Sequence, residues 1–300
     1  MSLKTKRIVD AVLTRIANGF KNATMVATEL FPVVSVTKMG NLIPVYGKEA
    51  FKLYETGRAP GAASNQMKLD PKSTIQAVLS EKDISIPIDV MESDESLFPE
   101  ESDAAEVASD ILDLGLEKEV ADLAIDTSNY AASNKVALTD SFDEAAGDPI
   151  GVIEAGKEAI RAQIGREPNV LLLGASTYTI LKNHADLIGR IKYSMKGVLT
   201  TKLLAEIFDV EKVIVGKAVY SDNGTMSDVW PDVAILAYVP QNAKSYRVPA
   251  AAYTLRKKSF KQIDKYPTEG GKVINVRATD VRVPKIVNAG AMYLITNTKA

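Results

Sequence analysis

Few residues of this 300-residue chain combine the types and the spacing that chemistry requires. The single histidine, His184, stands three residues after Leu181 and four before Ile188 in a helical stretch. An imidazole working as general acid or base needs an orienting partner and a reacting group within reach. A lone helical histidine is far more often structural or superficial. Gly174–Ala175–Ser176 follows a strand-like run and opens a helix, the setting of a nucleophile elbow, but G-x-S-x-G would need glycine where Tyr178 stands. The same turn lacks the G-x-G-x-x-G of a dinucleotide site. Gly216–Lys217 has Glu211 where a phosphate loop wants glycine and Ala218 where it wants Ser or Thr. Asp140, Asp143, Glu144 and Asp148 form the densest polar cluster outside the long helix described below. They miss the alternating oxygen ligands and sixth-position glycine of a calcium loop, and read as solvated loop residues. The absence of cysteine removes disulfides, thiolate metal sites and cysteine nucleophiles. The expectation is a protein with no catalytic residues, no metal and no cofactor, whose function lies in assembly.

Composition agrees. Hydrophobic residues make up 46% and charged residues 25%, the balance of a globular protein, and a net charge of −2 is too near zero to argue for a nucleic-acid or membrane surface on totals alone. Distribution says more. From Asp83 to Glu158 acidic residues are opposed only by Lys118, Lys135 and Lys157. From Lys244 onward the sign reverses, with Arg256, Lys257, Lys258, Lys261, Lys265, Lys272, Arg277 and Arg282 among the cations and only Asp264, Glu269 and Asp280 against them. Two readings stand: solvated faces that differ in sign, or complementary surfaces that meet between subunits. Apolar runs fall short of the roughly 18 to 20 residues a membrane helix needs. Asp10, Thr14 and Arg15 interrupt what would be the core of a secretory signal.

The elements that would position any site follow from periodicity. Ile8, Val12, Ile16 and Phe20 recur at helical spacing behind Lys4, Lys6 and Arg7, cations that oppose the macrodipole at a helix start. Val33 to Tyr46 reads as strand with a turn at Met39–Asn41, and Ala50–Thr56 and Ser73–Val90 read as the extended arms of a long hairpin. Between them Gly57 to Pro71 is small and polar. A loop of that length is functional or a loose surface loop. From Ser102 to about Tyr130 a helix is expected, with Leu112, Leu116, Val120 and Leu123 or Ala124 as its stripe and Gly115 as a blemish. Ile150–Ile164 is a further helix stopped by Gly165.

Val170–Leu173 is an apolar run suited to a strand buried on both faces, and Ser176 or Thr177 can cap the helix after it. Thr200 or Thr201 caps a second helix whose Leu203/Ile207 and Leu204/Phe208 pairs share a face. Val213–Tyr220 alternates as a strand, Asp222–Asn223–Gly224 marks a turn, and Val229–Val239 returns as strand. Ala252–Lys257, Lys272–Ala278, Val281–Val287 and Ala291–Thr296 are strand-like.

The order of strand, Ser/Thr-capped helix, R-I-K-Y, G-V-L-T, L-L-A-x-I-F-x-V and V-I-V-G-x-A-V-Y between Pro168 and Tyr220 resembles the central domain of tailed-phage major capsid proteins with the Hong Kong 97-type fold. The resemblance spans nearly the whole chain. It implies an α+β subunit with an N-terminal arm (1–35), an extended β-hairpin loop (36–92), a peripheral domain with a long spine helix (93–149), a central α/β domain (150–245) and a return to the peripheral domain (246–300). It implies a head protein whose pentamers and hexamers form an icosahedral shell around double-stranded DNA. The place would be the virion capsid, assembled in the host cytoplasm. Scaffold, portal and decoration proteins would be further partners, with non-specific contact to packaged DNA and no membrane. On that reading Arg58, Lys68, Lys72 and Lys82 on the loop meet Glu106, Asp110, Asp113 or Glu117 on a neighbour's long helix. Lys4, Lys6, Arg7, Arg15 and Lys21 line the inner surface. Two rivals are an encapsulin-like nanocompartment, with the same fold and a protein cargo, and an α/β enzyme, suggested by strand–helix alternation alone.

Overall fold

The computed structural model describes residues 25–45, 51–66, 73–96, 100–191, 199–241, 248 and 250–300. Two sheets organise them. The first has four strands in the order β1 (Val33–Val36), β11 (Ala252–Thr268), β12 (Val273–Ile286) and β4 (Ser80–Asp89). β1 runs parallel to β11 and the other pairs are antiparallel. The expected strands Ala252–Lys257, Lys272–Ala278 and Val281–Val287 are parts of two long strands, because β11 and β12 pair along their length with a shift between Arg256 and Lys261.

Across β12 and β4 lies the helix α3 (Glu100–Ile125), roughly 39 Å long at 1.5 Å per residue. Ala104, Ala108 and Leu112 are buried at four-residue spacing against Ile84, Ile86, Ile88, Val276 and Ala278. Small side chains let the helix lie close to the pleat. Farther along, Leu116, Val120 and Ala124 enter the main core, as the periodicity predicts. The helix ends before Tyr130. Asp126 accepts from the Ser128 N–H and starts a 3₁₀ turn at Thr127–Asn129, and the Tyr130 hydroxyl donates to the Ala124 carbonyl, one of the acceptors a helix end leaves open. Two short helices flank α3: α1 (Ala27–Leu30) and α2 (Val90–Glu95), the latter capped by Asp89.

The second sheet has five strands in the order β5 (Lys135–Ala137), β13 (Met292–Thr296), β10 (Val233–Ala237), β6 (Val170–Gly174) and β7 (Lys212–Gly216). β6 and β7 are parallel and joined through α5 (Ala175–Asn183), α6 (Ala185–Ile191) and α7 (Thr201–Phe208). Every residue of β6 and β10 is buried, as a strand covered on both faces requires. Alternation divides them. Leu172 and Ile235 face the core shared with α3 and Trp230, whereas Leu171, Leu173 and Leu236 face α4 (Pro149–Ile164), Leu204 and Phe208. α4 begins under the Asp148 cap, ends at left-handed Gly165, and lies so close to the sheet that a Cβ on Gly156 would fall 2.7 Å from Leu236 Cδ1. Two strands of this sheet, β5 and β13, come from outside residues 150–245.

The structure departs from several local expectations. Neither Ser176 nor Thr177 caps α5: the Ser176 hydroxyl bonds Asp232, Thr177 Oγ1 meets Thr298 Oγ1 at 2.6 Å, and Gly174 stands at the cap position. Thr200 does cap α7. Val213–Tyr220 is two strands, because Gly216 lies under the Trp230 indole and β8 (Val219–Asp222) then leaves the sheet to pair with β9 (Thr225–Asp228). Their turn, Asn223–Gly224, has φ of 49° and 84°, the two left-handed residues a tight hairpin turn demands. Residues 51–56 form no strand; β3 (Ser73–Val78) pairs with β2 (Gly40–Val45).

Candidate assembly surfaces

The β2–β3 ribbon has one buried side and one open side. Ile43 and Ala77 pack on Val34, Val36, Tyr253, Leu255 and Val281, while Leu42 and Val78, on the opposite face of the pleat, are exposed. Residues 51–66 belong to the loop that connects these strands, and every one of them is exposed. The loop has internal structure nonetheless. Asn65 Nδ2 donates to the carbonyls of Glu55 at 2.8 Å and Gly57 at 3.0 Å, and Arg58 Nη1 donates to the Ala62 carbonyl at 2.7 Å. The Gly57 N–H in turn donates to Glu55 Oε1 at 3.2 Å.

Several of the charged residues expected at an interface have partners within the subunit. Lys82 is on β4, opposite Asp280, and its ammonium lies 3.2 Å from Glu119 of the same helix α3. Asp113 accepts both contacts of Lys261, at 2.7 and 2.9 Å, and Glu101 holds Lys265. At these positions the acidic helix and the basic strand β11 meet within one subunit, because α3 lies across the sheet that carries the cations. Glu106 is exposed and Asp110 half-buried on the same helix. Asp264 and Arg277 form a two-pronged pair at 3.1 and 2.7 Å; that hydrogen bonding holds the Asp264 carboxyl below its usual range and raises the Arg277 guanidinium.

Glu117 requires a correction. It is fully buried, and its carboxyl oxygens accept from the Val26 N–H at 3.0 Å, the Ala27 N–H at 2.8 Å and Trp230 Nε1 at 2.6 Å. It holds its own subunit together and cannot present itself to a neighbour. Lys4, Lys6, Arg7, Arg15, Lys21, Lys68 and Lys72 lie outside the described residues.

A second buried polar cluster escaped the sequence reading. Asp280 Oδ2 accepts from Arg256 Nη2 at 3.0 Å and Arg282 Nη1 at 2.9 Å, with Asp280 and Arg282 both buried and Glu119 3.7 Å from Arg282 Nε. Alternation along β12 carried the signal, since residues 276, 278, 280 and 282 share a face and Val276 and Ala278 are core. Gly115 lies against the same cluster: a Cβ there would stand 3.4 Å from Arg282 Nη2, at the edge of ordinary van der Waals contact, so a methyl group fits and a larger side chain would press on the guanidinium.

The singled-out polar residues take part in local structure. His184 ends α5, where its Nδ1 accepts from the Asp186 N–H. Asp148 caps α4, Glu144 accepts from the Ser141 N–H, and Asp143 accepts from the Ala300 N–H. Among the described residues no group of three His, Asp or Glu could hold a metal ion, and no helix is long and apolar enough to cross a membrane. A groove of about 600 Å³ between α3 and the β8–β9 hairpin is lined by Lys118, Asp122, Asp126, Tyr220 and Asp228, with Lys118 paired to Asp122 and set 5.2 Å over the Tyr220 ring.

Comparison with known proteins points to one family. Residues 116–259 match the family described as Phage major capsid protein E. The major capsid protein of Burkholderia phage BcepMu is 47% identical over 98% of both chains, and that of Pseudomonas phage JBD67 is 27% identical over 70% of this chain and 69% of its own. A phage-related protein from Bordetella bronchiseptica superposes with a TM-score of 0.76 at 29% identity, covering 96% of each chain. Two more distant structures share the fold. The cyanophage P-SCSP1u capsid has a TM-score of 0.58 at 11% identity over 92% of this chain and 89% of its own, and the encapsulin of Synechococcus elongatus 0.59 at 11% over 92% and 88%.

Proposed function

The chain belongs to the major capsid proteins of phages, with their Hong Kong 97-type fold, and from that premise we propose how its subunits form a shell. Copies associate head to tail into pentamers and hexamers, and these close an icosahedral head around double-stranded DNA. Head-to-tail contacts close into rings when the rotation permits, and a loop reaching onto the next subunit enlarges each contact. The observation that carries this reading is the near-full-length identity to a phage major capsid protein. The encapsulin shares only the fold at 11% identity, so a cargo-enclosing compartment has weaker support.

Within the shell, 1–35 acts as arm, 36–92 as extended loop, 93–149 and 246–300 as peripheral region and 150–245 as central region. The loop supplies contact to an adjacent subunit. Ionic contact between subunits joins Arg58, Lys68 and Lys72 of the loop to a neighbour's long helix at Glu106 or Asp110, as minor contacts of about 0–1 kcal/mol each, with Glu117 excluded by its burial. The basic arm, with Lys4, Lys6, Arg7, Arg15 and Lys21, lies on the inner side against packaged DNA or a scaffold, where phosphate contact is non-specific and weakens with salt. Portal and decoration proteins complete the partners, and assembly takes place in the host cytoplasm.

Electron microscopy of the purified protein tests the proposal. Closed shells, lost when Gly57–Pro71 is deleted while the subunit stays soluble, are the expected result. A discrete monomer or dimer under all conditions by gel filtration overturns it.

A further inference from the structure

Leu53 is 97% exposed, and Phe51, two residues before it, 63%. Singly exposed apolar residues are ordinary, so exposure alone decides nothing. The bonding around Leu53 does. Each of the three charged residues of 51–66 is engaged locally: Lys52 lies 5.5 Å from the Tyr54 ring centroid, Glu55 accepts from Gly57, and Arg58 donates to Ala62. Asn65 ties the returning chain to the carbonyls of Glu55 and Gly57. The loop is therefore set in shape by its own hydrogen bonds, and what it turns outward at Leu53 is apolar rather than ionic. A segment ordered before it binds loses less entropy on binding.

We propose that Leu53 is the anchor with which the loop enters an apolar recess of a second copy of this chain, and that Asn65 and Arg58 are positioning residues that hold it ready. The inference rests on the reading that the loop supplies contact between subunits. The occupant is a second copy because the chain belongs to a family of shell subunits. The β2–β3 ribbon exposes two further apolar side chains, Leu42 and Val78, on its outer face beside the polar Thr74 and Gln76. Apolar docking also differs from ionic docking in sign: salt weakens the second and leaves the first intact.

The test uses the full chain with Leu53→Ser, Leu53→Asp and Asn65→Ala, reading shell yield by sedimentation and subunit melting by circular dichroism, at low and high salt. Burial of a leucine implies a loss of about tenfold or more in association for each contact removed, so Leu53→Asp should leave free subunits and Asn65→Ala a milder deficit. The melting temperature of the free Leu53→Ser subunit should equal that of the unaltered one. Wild-type shells should persist at high salt. A lowered melting temperature would place Leu53 in its own core and overturn the anchor, as would dissolution of the shells by salt. If deleting Gly57–Pro71 prevents assembly while Leu53→Asp assembles normally, the anchor falls and the loop reading stands; if the deletion also assembles normally, the loop reading falls with it.

Discussion

Trp230 Nε1 donates to Glu117 Oε1 across 2.6 Å, between residues 113 positions apart in sequence, and the same side chain accepts from the backbone of Val26 and Ala27. One carboxyl thus ties the long helix α3 to the loop before β10 and to the start of α1. Burial without partners costs each donor about 1–3 kcal/mol. Glu117→Gln turns an amide NH₂ toward groups that are themselves donors, so we expect a loss of at least about 2 kcal/mol. Trp230→Phe removes a single donor and should cost less. Urea unfolding of free subunits measures both; an unchanged midpoint for Glu117→Gln would show that the clamp contributes nothing.

Asp280 neutralises two arginines at the helix–sheet junction, one of them fully enclosed. Removing one member of a buried ionic cluster typically costs about 3–5 kcal/mol, because the other charge is left unpaired. Asp280→Ala should reach that range, and refolding yield should fall with it. Gly115 beside the cluster behaves oppositely. Its missing Cβ would stand 3.4 Å from Arg282 Nη2, close to ordinary contact, and alanine is favoured over glycine in a helix by about 1 kcal/mol. Gly115→Ala should be neutral to stabilising in thermal melts, whereas Gly115→Leu should displace the guanidinium and destabilise.

What the sequence made legible is what neighbours in sequence decide. Thr200 caps α7, Asn223–Gly224 turns the β8–β9 hairpin, and the apolar run at Val170 is a strand buried on both faces. The resemblance in Pro168–Tyr220 led to the right family because those apolar patterns are the packing code of one sheet and its helices. What was missed is decided by distant partners. Glu117 looks like one more acid on an acidic helix until Trp230 is placed over it. Ser176 and Thr177 would suit a cap, but Asp232 and Thr298 claim their hydroxyls first. The opposite charge blocks suggested surfaces meeting between subunits, yet Lys261 and Lys265 find Asp113 and Glu101 at home, because the strand follows the helix in space while following it in sequence by more than a hundred residues.

Alkali should loosen the subunit before acid does anything comparable at the same sites. Burial pushes the Tyr253 phenol up to about 12 from 10, with Tyr238 a smaller cause, and raises Tyr130 further. Below pH 10 these phenols are protonated in both folded and unfolded chains, so their share of stability is fully present there. As pH rises beyond 10 the unfolded chain releases phenolic protons first, and stability falls until folded Tyr253 titrates near 12. Denaturation midpoints taken from pH 8 to 11.5 on the free subunit should hold steady and then drop. In Tyr253→Phe, which also loses the hydroxyl bond to the Val248 carbonyl, the starting stability should be lower and the alkaline drop shallower. An equally steep drop would assign the alkaline transition elsewhere.

The pairing of Lys261 with Asp113 makes a separate statement about where the opposite charges act. Both groups are partly exposed, and such pairs contribute about 0–1 kcal/mol each. Lys261→Glu alone should therefore lower subunit stability by a few tenths of a kcal/mol to about 1 kcal/mol. Adding Asp113→Lys should recover most of that loss, because the pair is restored in reverse within one chain. The decisive measurement is a double-mutant cycle on free subunits, run beside an assembly assay. A contact internal to the subunit gives coupling in the unfolding of monomers, whereas a contact between subunits gives none there and appears only in shell yield. We expect the coupling in the monomer. If the monomers show no coupling while the two reversals rescue one another in assembly, the pair bridges subunits, and Asp113 acts at the interface.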